Sequence, residues 1–388
     1  GGQKLSESLV SRIGAVGDGG VASAWAIDLA VVVVVGVVVS LIAEAVVSAL
    51  SDRTRVAAGR RTPWIIAGGV VSAVMTLALG LCSNVVGIAL LWGLVQVGYV
   101  MLTVPMAAAF SERVPDKFRP RIVRARGIGQ MVGQALGVWI GLYTPFATAA
   151  AVFLLAGIVP VLVWPKEPSS EEQPHTAMSA HMLMERFRAP RHAVEFWKAF
   201  ASRSLVSAGV GLTTMFLWFI ASALIFRDWF TQGNSSPIAV PVCSLIASMA
   251  LATLVGSVGA AFIAGPVGEY IEDPRYLSVI SCVLYTVALA LPMTMPSAVS
   301  MVLFALIGGF AFGLIDTFGQ LLAMGALPDA RSAGHDLAFF NLSNSVGLAL
   351  AAIIGAVGVA VTGGFSVLFP AAIVCVLASA VVTISMKR

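Results

Sequence analysis

The sequence predicts an all-α membrane protein made of two related helical bundles, and three observations carry that prediction. Hydrophobic residues make up 59% of the 388 positions and charged residues only 11%, with a mean hydropathy of +0.95; a soluble domain carries roughly 25% charged residues. Apolar runs long enough to cross a bilayer, which needs about 20 residues, recur with short polar breaks, so helices and not a barrel satisfy the backbone in lipid. Finally, Val114-Pro115-Asp116 before one span resembles Leu327-Pro328-Asp329 before another, the two aspartates lying 213 residues apart. The loop near Asp52 finds a weaker echo in Gly268-Glu269 to Asp273-Pro274-Arg275, and the two halves read as parallel repeats.

In chain order the spans are predicted at 22–50, 64–82, 85–110, 125–142 and 145–164, then at 198–226, 238–264, 276–293, 297–325, 337–361 and 364–385, eleven in all. Residues 1–20 are Gly- and Ser-rich and contain Lys4, Glu7, Arg12 and Asp18, so no signal peptide is expected. Sliding the sixth span back by the repeat offset puts its counterpart mostly ahead of residue 1, with only Leu5 to Ile13 surviving. The parent fold then has six plus six helices, the first truncated here. The stretch Pro165 to Trp197, with Glu-Pro-Ser-Ser-Glu-Glu and later Arg186, Arg188 and Arg191, reads as an interdomain linker whose end near Phe187 and Phe196 is amphipathic. The expected domains are therefore residues 1–164, a linker over 165–197, and residues 198–388.

Charge placement gives orientation. If the loop after the first span faces the cytoplasm, 20 of the 23 basic residues fall on that side, Arg203 among them, and Lys4, Arg12 and Arg227 do not. The positive-inside rule favours this topology and a cytoplasmic C-terminus. The net charge of +4 is not gathered into one face that could track a nucleic acid. Cys82, Cys243, Cys282 and Cys375 are scattered through apolar runs and read as small buried residues, with neither a disulfide framework nor a zinc site. His175, His181, His192 and His335 have no metal-binding spacing. No cofactor or metal is expected, and no nucleophile with an evident acid or base emerges, so the chain does not read as an enzyme.

The most informative motif is Asp52-Arg53-Thr54-Arg55-Val56-Ala57-Ala58-Gly59-Arg60-Arg61, a basic turn wedged between two long apolar runs. Gly59 can supply the reversal, the arginines can hold the loop at an anionic leaflet, and Asp52 at the helix end can accept charge-assisted bonds. The spacing Asp-Arg-x5-Gly-Arg-Arg-x-Pro resembles the loop signature of the major facilitator superfamily, and more narrowly that of glycoside-pentoside-hexuronide:cation symporters and sucrose transporters. Aligning on Asp52 places Glu44 at the acidic position of those symporters, Ala45 at the usual proline, Ser48 at the usual glycine, and Ser40 where a second acid stands. One carboxylate suffices for a proton, whereas a hard cation wants several oxygens, so the departure favours protons over sodium. Further matches are Glu112 to Asp116 with Arg119-Pro120-Arg121, Ser202-Arg203-Ser204-Leu205, and Asp336-Leu337 leading to Phe340-Asn341. The resemblance implies a major facilitator fold of two pseudo-symmetric six-helix bundles, about eleven spans being present here, working by alternating access around a midplane cavity.

Within the spans, Glu44 lies eight residues before Asp52, about 12 Å at 1.5 Å per residue, where a carboxylate costs at least about 2.5 kcal/mol unless it faces a cavity, a partner or a proton. Asp316 is the deepest acid of the second half; both are expected to couple ions, with a paired structural acid as the alternative. Gln130 and Gln134 are one turn apart, Asn341 and Asn344 are three apart, and Gln96, Tyr99 and Gln320 sit at similar depths. Such donors and acceptors suit a hydroxyl-rich solute, and Trp92, Trp139 or Trp218 could stack on a sugar face; the bland alternative is interhelical bonding. Gly129, Gly133, Gly137 and Gly141 form a stripe expected to admit a packing helix. The expectation is a monomeric, proton-coupled transporter of a sugar- or glycoside-like solute in a bacterial cell membrane, with Asp52, Arg53, Gly59, Arg60 and Arg61 as a cytoplasmic gate. An exporter of drugs or lipids and a non-transporting assembly factor are the alternatives.

Overall fold

A computed structural model of the chain describes residues 19–113, 119–163, 167, 194–226, 239–270, 273–325 and 333–386. Among these there is no strand; the chain is helical between short turns, as apolar composition without water requires. The first five helices are α1 (Gly19–Ser51), α2 (Thr62–Leu81), α3 (Val85–Arg113), α4 (Arg119–Tyr143) and α5 (Phe146–Val163). They are followed by α6 (Val194–Met215), the short α7 (Leu217–Ile220) running into a π-helical turn (Ala221–Ile225), α8 (Ala239–Tyr270), α9 (Pro274–Thr294), α10 (Ala298–Gly325), α11 (Ala333–Thr362) and α12 (Leu368–Ile384).

Nine of the described helices are long and apolar enough to cross a membrane, and α6 with the segment after it makes a tenth span, bent by 50°. A single continuous span was predicted over 198–226. It breaks because hydroxyls compete for the helix's own carbonyls: Thr213 and Thr214 both donate to the Val210 carbonyl at 3.0 Å, and Ser222 donates to Trp218 at 2.8 Å. Such back-bonding bends helices, and the π turn just beyond absorbs the extra residue. The predicted fourth span is helical as α4. Cys243, Cys282 and Cys375 are buried and Cys82 half-buried, all four as free thiols.

The chain divides into two compact units. The first includes Val31–Gly127 and Tyr143–Arg188; the second includes Ala189–Arg388 with Ile128–Leu142 and Ser6–Ala30. In the first unit α2 packs on α3 and α5, with the backbones drawn together where Gly69 faces Gly157. There α1 meets α3 through Ala43, Val47 and Val100. In the second, α9 packs on α10 and α12, α6 on α11 and α12, and α8 on α10. The α8–α10 seam is a backbone approach: a Cβ added to Gly309 would meet the Thr253 carbonyl oxygen at 2.7 Å. In each half the helix after the Asp-containing loop contacts the next helix and the last one, the pairing a duplication requires.

One expectation is not met among the described residues. Apart from α4's own backbone, no described heavy atom lies within 4 Å of where a Cβ would stand on Gly129, Gly133, Gly137 or Gly141. The fourfold spacing does put them on one face, but spacing locates a face and not its occupant. In the second unit α11, the repeat counterpart of α4, uses Gly347 to receive Ser207 of α6 and Gly355 to receive Phe216, between α6 and α7. The segment Leu5 to Ile13, read in the sequence as the remnant of a first helix, lies outside the described residues. Also outside them are Val114-Pro115-Asp116, Leu327-Pro328-Asp329, His175, His181, His192 and all of the linker between Pro165 and Ala193 except Glu167.

Candidate functional site

In the second unit a polar network forms across α6, α10 and α11. Arg203 sits nine residues into α6, about 14 Å from its start. Its Nη2 donates to Asp316 Oδ1 of α10 at 2.5 Å, and its Nε donates to Asn344 Oδ1 of α11 at 3.1 Å. The same Asn344 oxygen accepts from Ser207 Oγ at 2.7 Å, and Gln320 Nε2, one turn beyond Asp316, donates to Asp316 Oδ2 at 3.1 Å. The Arg203 side chain is 12% exposed and that of Asp316 37%. A charge inside a bundle is tolerated only with such a partner, and a charge-assisted bond at this distance is among the stronger polar contacts a protein makes. Asp316 is thus held from two helices by donors, with part of its carboxylate open.

Beside the ion pair, a small cavity is lined by Ser202, Arg203, Ser278, Gly319, Phe340 and Met386, among others. Its α12 side is hydroxylic: Ser202 Oγ lies 2.9 Å from Ser379 Oγ and 2.8 Å from Thr383 Oγ1.

In the first unit the Asp52 loop is built as a turn closed from a distance. Gly59 has φ +90°, a conformation that L side chains rarely adopt, and its N–H donates to Val56 O at 2.9 Å. Arg61 is 4% exposed and its Nη2 lies 3.6 Å from Asp52 Oδ1. Glu167, just past α5, places Oε2 at 3.1 Å from both the Arg61 and Thr62 backbone N–H and 3.0 Å from Thr62 Oγ1. A carboxylate on the first N–H groups of α2 satisfies orphan donors and meets the positive helix end. The second unit repeats the arrangement with different groups. Asp273 caps α9 by accepting from Arg275 N at 3.0 Å, and Arg275 Nη1 donates to the carbonyl of Met386, just past α12, at 2.5 Å.

The family profile of the Major Facilitator Superfamily matches residues 21–251, well over half of the chain. The chain belongs to the Major Facilitator Superfamily. It is accordingly a multi-pass membrane protein. No curated protein matches its sequence. Among solved structures of this superfamily fold, a variant of the nucleoside transporter NupG aligns with TM-score 0.70 at 14% identity, covering 94% of this chain and 91% of that one. The peptide transporter POT in complex with sulfate aligns with TM-score 0.69 at 14% identity, covering 94% and 87%. A bacterial homolog of the human lysosomal transporter Spinster, inward-facing and unoccupied, gives TM-score 0.57 at 14% identity, with 94% of each chain covered. At such identities the likeness carries the superfamily fold alone.

Of the residues singled out in the sequence, Asp316, Gln320 and Asn344 are brought together; Asn341 is exposed on α11 and makes no side-chain hydrogen bond among the described residues. Gln96 and Tyr99 on α3, and Gln130 and Gln134 on α4, likewise make none there; the last three are exposed. Trp92 sits against α1, where a Cβ on Gly36 would meet its Nε1 at 2.6 Å, so its indole fills a helix contact. Glu44 is exposed on α1, between Ala43 and Val47 that face α3, with no hydrogen-bond or ion-pair partner among the described residues. Three contributors were missed. Arg203 was counted with the loop charges although it stands inside a predicted span, and a lone cation and a lone acid in different spans are a pairing signal. Glu167 and Ser207 carry no sequence signal beyond the position of Glu167 right after a span.

Proposed function

We propose that this chain is a secondary active transporter that moves a small polar solute, sugar- or glycoside-like, across the bacterial cell membrane by alternating access coupled to protons. The observation that carries this reading is the Arg203–Asp316 pair with its amide neighbours Asn344 and Gln320 inside the second unit. An acid balanced between a guanidinium and an open edge has two stable partners, Arg203 and a proton. Protonation releases Arg203 and changes which helices are tied together, which is what an alternating-access step requires.

In this reading Glu44 titrates as a second coupling acid, since a carboxylate on a lipid-embedded helix with no partner among the described residues is stable when it holds a proton. Gln96, Tyr99, Gln130, Gln134, Gln320, Asn341 and Asn344 contact the solute. The bundles are residues 1–164 and 198–388, joined by a linker over 165–197, with the C-terminus cytoplasmic and the chain a monomer. Asp52, Arg53, Gly59, Arg60 and Arg61 form the cytoplasmic gate, supported by the closure of that loop on Glu167. The test is uptake of a labelled sugar and glycoside panel into liposomes bearing the full chain, with an imposed inward proton gradient. Accumulation that collapses with a protonophore is expected; uptake indifferent to the gradient overturns proton coupling, and no uptake of any solute overturns transport.

A further inference from the structure

Arg203 is held in place on two of its nitrogens: Nη2 by Asp316 and Nε by Asn344, which is itself fixed by Ser207. Its third nitrogen, Nη1, is buried and has no hydrogen-bond partner among the described residues. Arg203 also lines the small cavity, whose wall carries Ser202 and the buried Ser278. Gly319 keeps the space beside it open: a Cβ there would stand 3.8 Å from Nη1. A guanidinium fixed by two neighbours presents its remaining N–H groups in a rigid fork, and that fork matches a planar anion. Buried N–H donors are otherwise almost always paired.

Charge decides what fits. The cavity wall holds one cation, Arg203, and the acid that balances it is Asp316 on α10. From the elements packed against α10, the described segment of α8 from Ala239 to Gly268 brings no charged side chain. From α9 the only cation is Arg275, committed to Asp273 and the Met386 carbonyl, and from α11 the facing group is the neutral Asn344. Once Asp316 takes a proton, Arg203 is left as an uncompensated buried cation, a costly state unless an anion replaces the carboxylate.

We propose that the cargo is a hydroxylated solute bearing one compact anionic group of the carboxylate class, that Arg203 reads this group through Nη1, and that Ser202 and Ser278 flank it. The inference rests on the transport reading above and sharpens its substrate class: a neutral sugar leaves the fork empty, whereas a hydroxy acid fills it. Proton and anion then travel together without net charge.

The probes are sodium glycerate, its neutral counterpart glyceramide, and sodium chloride, each titrated against the full chain in detergent with thermal unfolding as the readout. Glycerate is expected to raise the melting temperature saturably, with glyceramide and chloride at least tenfold weaker. The double variant Arg203→Gln/Asp316→Asn removes both charges at nearly constant size and so keeps a foldable site; its own melting temperature reports folding, and it should lose the glycerate response. Ser278→Ala should weaken that response several-fold. Equal responses to glycerate and glyceramide, retention in the double variant, or no response to glycerate each overturn the proposal; a chloride response matching glycerate assigns the site to an inorganic ion and overturns it as a cargo site. The two readings fail separately: gradient-driven uptake of neutral sugars with no glycerate binding sinks the anion site and leaves transport standing, while glycerate binding without gradient-driven uptake of any solute does the reverse.

Discussion

Arg203 and Asp316 meet because each is alone. The other cation of α6, Lys198, is committed to Glu195 and the Ser385 carbonyl, Asp316 is the single acid of α10, and the Arg203–Asp316 bond is the one charged contact among the described residues inside the second unit's helices away from the helix ends. Replacing Arg203 by Gln leaves a partly exposed carboxylate without its cation, so the loss stays below that of a fully buried pair, about 1–3 kcal/mol. A drop in melting temperature of several degrees in detergent is the expected reading, with partial recovery in the double variant carrying Asp316→Asn. At Glu44, Gln substitution should abolish solute-driven proton uptake while counterflow persists; unchanged proton movement removes Glu44 from the mechanism. The sequence showed which polar residues stand inside spans and how deep they lie. It did not show which of them touch, because depth along a helix says nothing about rotation around it. That is why Asp316, Gln320 and Asn344 were legible as polar positions, while the cation that joins them was filed with the loops.

Helices packed through glycine and helices merely rich in glycine behave differently under substitution. At the α8–α10 seam Gly309 faces backbone, so Gly309→Ala forces the helices apart and should destabilise by about 1–3 kcal/mol. On α4, where Gly133 faces open space, alanine adds helix propensity and should be neutral or stabilising by up to about 1 kcal/mol. Thermal unfolding of the two variants side by side checks this, and a disruptive Gly133→Ala would show that the stripe packs after all. Glu167→Ala strips the acceptor from the Arg61 and Thr62 N–H groups at the start of α2. The loss of such a cap costs about 0.5–2 kcal/mol, and hydrogen exchange at those two amides should accelerate while that of mid-α2 amides holds. Helix positions were readable from hydropathy alone. The break after Met215 was not, because it comes from hydroxyls turning back on Val210, Trp218 and Phe219 carbonyls with no proline to announce it.

Across the whole molecule, duplication is the feature that sequence and structure share most directly. In the first unit a carboxylate beyond α5 closes the loop before α2; in the second a carbonyl beyond α12 closes the loop before α9. The chemistry differs while the geometry recurs, so the repeat was faint in residue identity and plain in contacts. Among the described residues the Arg203–Asp316 network has no counterpart in the first half: Thr103, the position matching Asp316, spends its hydroxyl on its own helix at the Tyr99 carbonyl. In the second unit the proposed transport cycle turns on an exchange in which Asp316 trades Arg203 for a proton, beside the second coupling acid Glu44. The most direct test compares wild type with Asp316→Asn in liposomes loaded with a pH-sensitive dye. Solute added outside should carry protons inward in the wild type, and the variant should retain solute counterflow with proton uptake reduced at least tenfold; proton uptake at the wild-type rate in Asp316→Asn would contradict the account.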